Sequence, residues 1–216
     1  MTLSLRSLAV LVAVSCIALV VLLLMEQDLG AAAKLIASSA FVALAIRAGA
    51  LRSDYGRIIL LGLAFSWFGD AFLIGETQTL FLAGLGAFLL AHIAYIVAFV
   101  LRGISLKWAG IAALAIVALA IAITVWLAPH IPSALVIPVH AYTTVISLMV
   151  IAAFGTRGRG ASILIVAGAV MFFLSDLSVA ALRLVQTDFP TYVWGLPLYY
   201  AGQVCLALST SQSRSH

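Results

Sequence analysis

Long apolar runs, separated by short polar connectors, occupy the chain from end to end. A membrane-spanning helix needs about 20 mostly apolar residues, and eight runs meet that need. They cover approximately residues 7–25, 31–50, 57–75, 79–101, 107–128, 133–153, 161–184 and 192–210. Backbone polar groups find no partners in lipid, so runs of this kind form helices rather than open strands. The chain is therefore predicted to be an all-α bundle of eight transmembrane helices.

Composition agrees with a membrane protein. Of the 216 residues, 65% are hydrophobic and 8% are charged, whereas soluble domains carry about 25% charged residues. The first run follows Arg6 as in a signal peptide, but it is long enough to span and no small-residue cleavage site follows it. Cys16 and Cys205 lie within apolar runs, where free cysteines pack as small hydrophobes. We expect one integral membrane domain over residues 1–216.

The basic residues alternate with the predicted spans. Nine of the eleven Lys and Arg residues fall on one side, namely Arg6, Arg47, Arg52, Arg57, Arg102, Lys107, Arg157, Arg159 and Arg214. The connectors on the other side carry Glu26, Asp28, Glu76, His130 and Asp188. By the positive-inside rule both termini are cytoplasmic. The net charge of +4 is thus interpreted as topology and not as nucleic-acid binding.

The two remaining cations lie with acidic residues. Lys34 and Arg183 fall near the outer ends of the second and seventh runs, and Asp70 and Asp176 lie in the outer halves of the third and seventh. Each charge would cost roughly 2.5–3.5 kcal/mol alone in the membrane. Opposite charges at one depth therefore predict a shared internal site.

The spacing of the aspartates also suggests an internal repeat. Asp176 follows Asp70 by 106 residues, and the same step from Lys34 reaches His140. Two four-helix halves of parallel topology would give this spacing. Coincidence in a chain of apolar helices is the alternative.

Each aspartate has two interpretations. The structural one is a carboxylate paired with Lys34 or Arg183. The functional one is a buried acid able to hold or deliver a proton near neutral pH. Two carboxylates in different surroundings can divide into one acid and one base.

Other polar side chains lie within the runs. His92 and Tyr95 share a helical face, as do Tyr199 and Gln203. The non-functional interpretation of His92 is a hydrogen-bonded packing residue. That of Tyr199 is a member of the aromatic belt at the membrane interface. His92 and His140 with the aspartates show no specific metal-ligand spacing, so we expect no metal site.

Arg183 lies seven residues after Asp176, about two turns or roughly 10 Å along one helical face. It is therefore too far for a direct pair, but the two could bracket a lipid headgroup. The alternative is an arginine that extends to the membrane interface.

Four short motifs carry a family resemblance. "GDAFL" (69–73), "AHIAY" (91–95), "SDLSVA" (175–180) and "LPLYYAGQ" (196–203) occur in this order, and Lys34 stands where a lysine is usual. Together they resemble the YhhN family, whose characterised members are lysoplasmalogenases, over nearly the whole chain. One departure is "KLIA" at Lys34, where the family commonly has a proline after the lysine.

The resemblance implies hydrolysis of the vinyl ether bond of a lysophospholipid in a membrane, with no cofactor. It implies acid and base roles for Asp70 and Asp176, which the sequence does not assign individually. We expect the substrate to contact Lys34, His92, Tyr95, Arg183, Tyr199, Tyr200 and Gln203. The expected location is a bacterial inner membrane. A small proton-coupled transporter and a non-catalytic lipid-binding protein remain as alternatives, and neither headgroup preference nor oligomeric state follows from the sequence.

Overall fold

The computed structural model describes residues 3–212, which form eight α-helices and contain no β-strand. The helices are α1 (Leu3–Leu24), α2 (Gly30–Ala48), α3 (Asp54–Phe72), α4 (Gln78–Arg102), α5 (Leu106–Leu127), α6 (Val136–Arg157), α7 (Ile163–Ala180) and α8 (Tyr192–Ser209). The prediction of an all-α chain is confirmed. Arg214, one of the basic residues counted above, lies outside the described residues.

Helix α6 extends to Arg157, a few residues beyond the predicted end of its run. The loop before α5 lies against this end of the helix. The Ser105 N–H donates to the Gly155 carbonyl over 2.9 Å. A Cβ at Gly155 would lie 2.9 Å from the Ile104 side chain. This glycine therefore allows a close approach within the helix and does not form a turn.

The end of α7 also differs from the prediction. The α-helix ends at Ala180, and a π-helical turn, Ala181–Val185, continues the run. Gln186 then adopts a left-handed conformation with φ of 56°, which ends the helical path. Turns of this wider kind occur often at functional sites, and this one carries Arg183.

The apolar helices identify an integral membrane protein. Six segments are long and apolar enough to cross a membrane, and together they contain α1, α2, α4, α5, α6 and α7. Helix α3 is not apolar enough to be among them because it carries Asp54, Arg57 and Asp70. Helix α8 is not apolar enough because it carries several polar side chains. Eight complete spans therefore remain a prediction.

The helices pack mainly in sequential pairs. The closest associations are α1 with α2, α3 with α4, α5 with α6 and α7 with α8. Across the bundle, α2 meets α8 and α4 meets α6. Exchanging the first four helices for the last four maps each of these contacts onto another in the set, whereas the contact of α1 with α8 has no comparable counterpart between α4 and α5. Two four-helix repeats would give this pattern, and the repeat stays a prediction.

Helices α7 and α8 meet backbone to backbone. A Cβ at Gly168 would lie 2.9 Å from the Gly202 carbonyl oxygen, and one at Gly202 would lie 3.0 Å from that of Gly168. Small residues permit this approach between membrane helices. The contact sets Asp176 of α7 beside the face of α8 that carries Tyr199.

The basic residues gather at one end of the bundle. Hydrogen bonds join the end of α2 to the start of α1, from Arg47 to Ser4, and the start of α3 to the end of α8, between Tyr55 and Ser209. Arg159 donates to the Ile104 carbonyl at the connector between α4 and α5. The aspartates lie toward the opposite ends of α3 and α7.

Candidate active site

An internal cavity opens near the ends of α3 and α7 that are remote from the basic residues. It contains about 1140 Å³ of empty space, including the space at its open side. The polar side chains on its wall are Lys34, Asp70, Tyr142, Thr143, Ser175, Asp176, Arg183 and Tyr199, and leucine, isoleucine, valine and phenylalanine form most of the rest. The cavity suits a molecule with one polar end and one apolar chain.

Asp70 is held in a network of donors. Its side chain is only 3% exposed, and Lys34 Nζ lies 3.8 Å from Oδ1. The Tyr199 hydroxyl donates to Oδ2 over 2.7 Å, and the Ser38 hydroxyl donates to the same oxygen. Lys34 and Ser38 are four residues apart on α2 and so share one face. Both carboxylate oxygens of Asp70 therefore have partners.

The main chain of α2 is fixed by a second tyrosine. The Tyr200 hydroxyl donates to the Lys34 carbonyl over 3.3 Å and lies 3.5 Å from Ser38 Oγ. Tyr200 is buried and does not line the cavity. It holds the backbone that carries the lysine.

Asp176 has different neighbours. The Tyr142 hydroxyl donates to its Oδ2 over 2.7 Å, and His92 Nε2 lies 3.5 Å from that same oxygen. The side chain is 17% exposed, toward the cavity. Within residues 3–212, no Lys or Arg nitrogen lies within ion-pair distance of this carboxyl group. Asp176 thus faces the cavity without a cation beside it.

His92 is enclosed among aromatic rings. It is fully buried, its ring centroid is 4.5 Å from that of Phe172, and Tyr142 meets it edge-on at 5.3 Å. Neither of its ring nitrogens has a hydrogen-bond partner among the described residues. His92 thus contacts Asp176 from within the bundle and does not line the cavity.

A second layer of polar residues lies behind the aromatic wall. The Tyr95 hydroxyl donates to Gln203 Oε1 over 2.9 Å and lies 3.4 Å from Ser66 Oγ. Both Tyr95 and Gln203 are buried and neither lines the cavity. Phe172 packs between Tyr95 and Tyr199, with ring centroids 6.2 and 5.3 Å away. Their expected contact with substrate therefore stays a prediction.

Arg183 stands at the rim of the cavity. Its guanidinium lies over the ring of Phe81, 5.6 Å from the centroid, and the residue is exposed. A cation over an aromatic face is held by the ring quadrupole. Arg183 makes no direct pair with Asp176, in line with the predicted separation.

The structure thus brings five predicted residues onto one wall, namely Lys34, Asp70, Asp176, Arg183 and Tyr199. Ser38 and Tyr142 also belong to the site, and neither was predicted from the sequence. Ser38 follows Lys34 by four residues, a spacing that could have identified it. Tyr142 lies 34 residues before Asp176 on another helix, and nothing local distinguishes it.

Metal binding has no local support in the described part of the chain. No group of three or more His, Cys, Asp or Glu side chains there could hold an ion. His140, considered with His92 as a ligand, is exposed, and its Nδ1 lies 2.6 Å from the Val136 carbonyl oxygen.

Comparison with known proteins adds a family. The YhhN family model matches residues 29–210, a segment that contains every residue of the site. Lysoplasmalogenase TMEM86A of Bos taurus and that of Homo sapiens are each 33% identical over 165 residues, 72% of this chain. The match spans 66% of the length of each relative. No solved structure shows significant similarity. Since the family model covers most of the chain and both motif aspartates, the chain belongs to the YhhN family.

Proposed function

We propose that the chain is an intramembrane hydrolase that cleaves the vinyl ether bond of lysoplasmalogens, releasing a fatty aldehyde and a glycerophospho-alcohol. The observation that carries the proposal is the pair of carboxyl groups, with unlike partners, on one largely apolar cavity. The relatives named lysoplasmalogenase support the same reaction.

The chemistry of a vinyl ether matches these groups. An acid protonates the carbon beta to the ether oxygen, which produces an oxocarbenium ion. Water adds to that ion, and the resulting hemiacetal collapses to aldehyde and alcohol. The reaction needs a proton donor, a base for the water and negative charge beside the cation, as glycosidases also do. Asp70 and Asp176 supply these functions between them.

The cavity wall suggests how the substrate lies. The apolar residues of α5 and α6, including Ile123, Leu127 and Val139, would accept the single hydrocarbon chain. Arg183 at the rim would bind the phosphate, and Lys34 lines the same cavity. An anionic group placed near both cations would relieve their repulsion. The vinyl ether would then lie between phosphate and chain, near the aspartates.

The direct test is aldehyde release by purified protein in detergent. The substrate is a vinyl-ether lysophospholipid, and wild type is assayed beside Asp70→Asn, Asp176→Asn and Asp188→Asn. Asp188 is an exposed aspartate that does not line the cavity, so it is the matched control. We expect release by wild type and Asp188→Asn, and a rate lowered by about 10²-fold or more in the two site variants.

Folding must be checked in the same preparations, by size-exclusion chromatography and circular dichroism. Full activity in both Asp70→Asn and Asp176→Asn would refute the proposed site. A folded wild type that releases no aldehyde would refute the proposed activity, since a transporter or lipid-binding protein makes no product in detergent.

The proposed location is a bacterial inner membrane with eight spans and both termini in the cytoplasm. The support is the gathering of basic residues at one end of the bundle. The aspartates then lie toward the outer leaflet, and the lysolipid enters from that side. We expect a cytoplasmic C-terminus, so a reporter that works only in the cytoplasm should be active when it is fused there. A C-terminus found outside the cytoplasm would reverse this orientation.

A further inference from the structure

We propose that Asp176 alone exchanges protons during the reaction, and that Asp70 stays ionised as a fixed negative charge facing the oxocarbenium ion. This assignment rests on the proposed hydrolase function. It divides two roles that the sequence left open between the aspartates, and it follows from the partners of each carboxyl group.

Asp70 is surrounded by groups that favour its charged form. Lys34 lies 3.8 Å from Oδ1, and the hydroxyls of Ser38 and Tyr199 both donate to Oδ2. A proton on Asp70 would break this arrangement, because it would leave the half-buried ammonium of Lys34 without a counter-charge. Hydrogen bonds donated to a carboxylate also favour ionisation. Asp70 is therefore poorly suited to gain and lose a proton in each turnover.

Asp176 has the features of a proton carrier. No cation lies beside it in the described chain, and its two polar neighbours, Tyr142 of α6 and His92 of α4, both face Oδ2. A carboxyl group buried without a cation favours its neutral form. With Oδ2 accepting from Tyr142, the proton resides on Oδ1, and the group is open to the cavity. Lys34, Asp70 and Arg183 are the other charged groups on that wall.

One carboxyl group balances every proton in the reaction. Asp176 first gives its proton to the beta carbon, forming a C–H bond and the oxocarbenium ion. The Asp176 carboxylate then takes a proton as water forms a C–O bond to that ion. In the collapse, Asp176 protonates the ether oxygen as its bond to carbon breaks, and takes the hemiacetal hydroxyl proton as C=O forms. One water is consumed, Asp176 ends protonated, and Asp70 is unchanged.

The test compares how the rates depend on pH. Aldehyde release is measured for wild type, Asp70→Asn and Asp176→Asn from mildly acidic to mildly alkaline pH, with the enzyme-free hydrolysis subtracted. Removing a fixed charge that stabilises the transition state lowers the rate by about 10²–10³-fold. Asp70→Asn should therefore keep the shape of the wild-type profile at a lower rate. Asp176→Asn has lost its acid, so its residual rate should rise in proportion to hydronium concentration, without a plateau.

A charge-neutral double variant keeps the test decisive if Asp70→Asn alone misfolds. Lys34→Met combined with Asp70→Asn removes both members of the ion pair, so no buried charge is left unpaired. It should retain the wild-type profile shape at the reduced rate. Exchanged profiles, with a plateau in Asp176→Asn and hydronium dependence in Asp70→Asn, would overturn the assignment while leaving the hydrolase function intact. Absence of aldehyde from folded wild type would overturn both.

Discussion

Removing Lys34 alone should destabilise the protein more than removing it together with Asp70. In the structure, Lys34 Nζ is 3.8 Å from Asp70 Oδ1, and the two side chains are 15% and 3% exposed. The single variant Lys34→Met leaves a buried carboxylate that still accepts from Ser38 and Tyr199 but has no cation. The double variant with Asp70→Asn leaves two neutral side chains.

The expected size follows from the distance. Two unit charges at this separation attract by about 4 kcal/mol at an effective dielectric constant of about 20. Removing one member of a buried pair typically costs about 3–5 kcal/mol. For a chain of this size, 1 kcal/mol shifts the midpoint of thermal unfolding by roughly 2–4 °C. Lys34→Met should thus lower that midpoint by roughly 6–20 °C.

The assay is a double-mutant cycle on thermal unfolding in detergent, followed by loss of monodisperse protein. We expect a coupling free energy of about 2–3 kcal/mol between Lys34 and Asp70. The control cycle uses Arg57→Met and Asp54→Asn, an ion pair of 3.1 Å whose side chains are 62% and 83% exposed. Exposed pairs contribute little, so its coupling should be close to zero. Equal coupling in the two cycles, or additive losses at Lys34 and Asp70, would refute the buried ion pair.

Three further perturbations test other parts of the site. Tyr142→Phe should lower kcat by about tenfold or more with KM unchanged, because it frees the acid from the 2.7 Å hydrogen bond that orients it; a change in KM alone would contradict this role. Arg183→Gln should raise KM for a vinyl-ether lysophospholipid but not for a vinyl-ether glycerol lacking phosphate, and an equal effect on both would exclude phosphate binding. Gly195→Ala should destabilise the protein by about 1–3 kcal/mol, since its Cβ would lie 2.6 Å from Ser178 Cβ, whereas Gly86→Ala, with no atom within 4 Å, should not.

Much of the fold was predictable because apolar length and charge placement are strong constraints on membrane helices. All eight helices lie where the apolar runs predicted them. The ends of α6 and α7 differ from the predicted ends for local reasons. Gly155 serves helix packing rather than a turn. The π-helical turn at Ala181–Val185 depends on contacts that the hydropathy pattern does not contain. Sequence hydropathy also does not reveal whether α3 and α8 cross completely.

The cavity was predictable in its charged members and in Tyr199. Lys34, Asp70 and Asp176 are conspicuous because an ionisable residue in an apolar run requires an explanation. Tyr142 is not conspicuous, because a tyrosine near a helix end is ordinary at the membrane interface. Its role depends on the packing of α6 against α7, which places its hydroxyl on Asp176. The partners of the two aspartates lie on four different helices, α2 and α8 for Asp70 and α4 and α6 for Asp176. No local sequence pattern therefore indicates that the surroundings of the two carboxyl groups differ.

The proposed mechanism is tested most directly by locating the solvent hydrogen that enters the product. Purified wild type is incubated with a vinyl-ether lysophospholipid in deuterium oxide, the aldehyde is trapped by reduction, and its mass and labelled position are determined. Protonation of the beta carbon by an acid in the cavity predicts one deuterium on the carbon next to the former carbonyl. An aldehyde formed at the enzymatic rate without deuterium at that carbon would contradict the proposed mechanism.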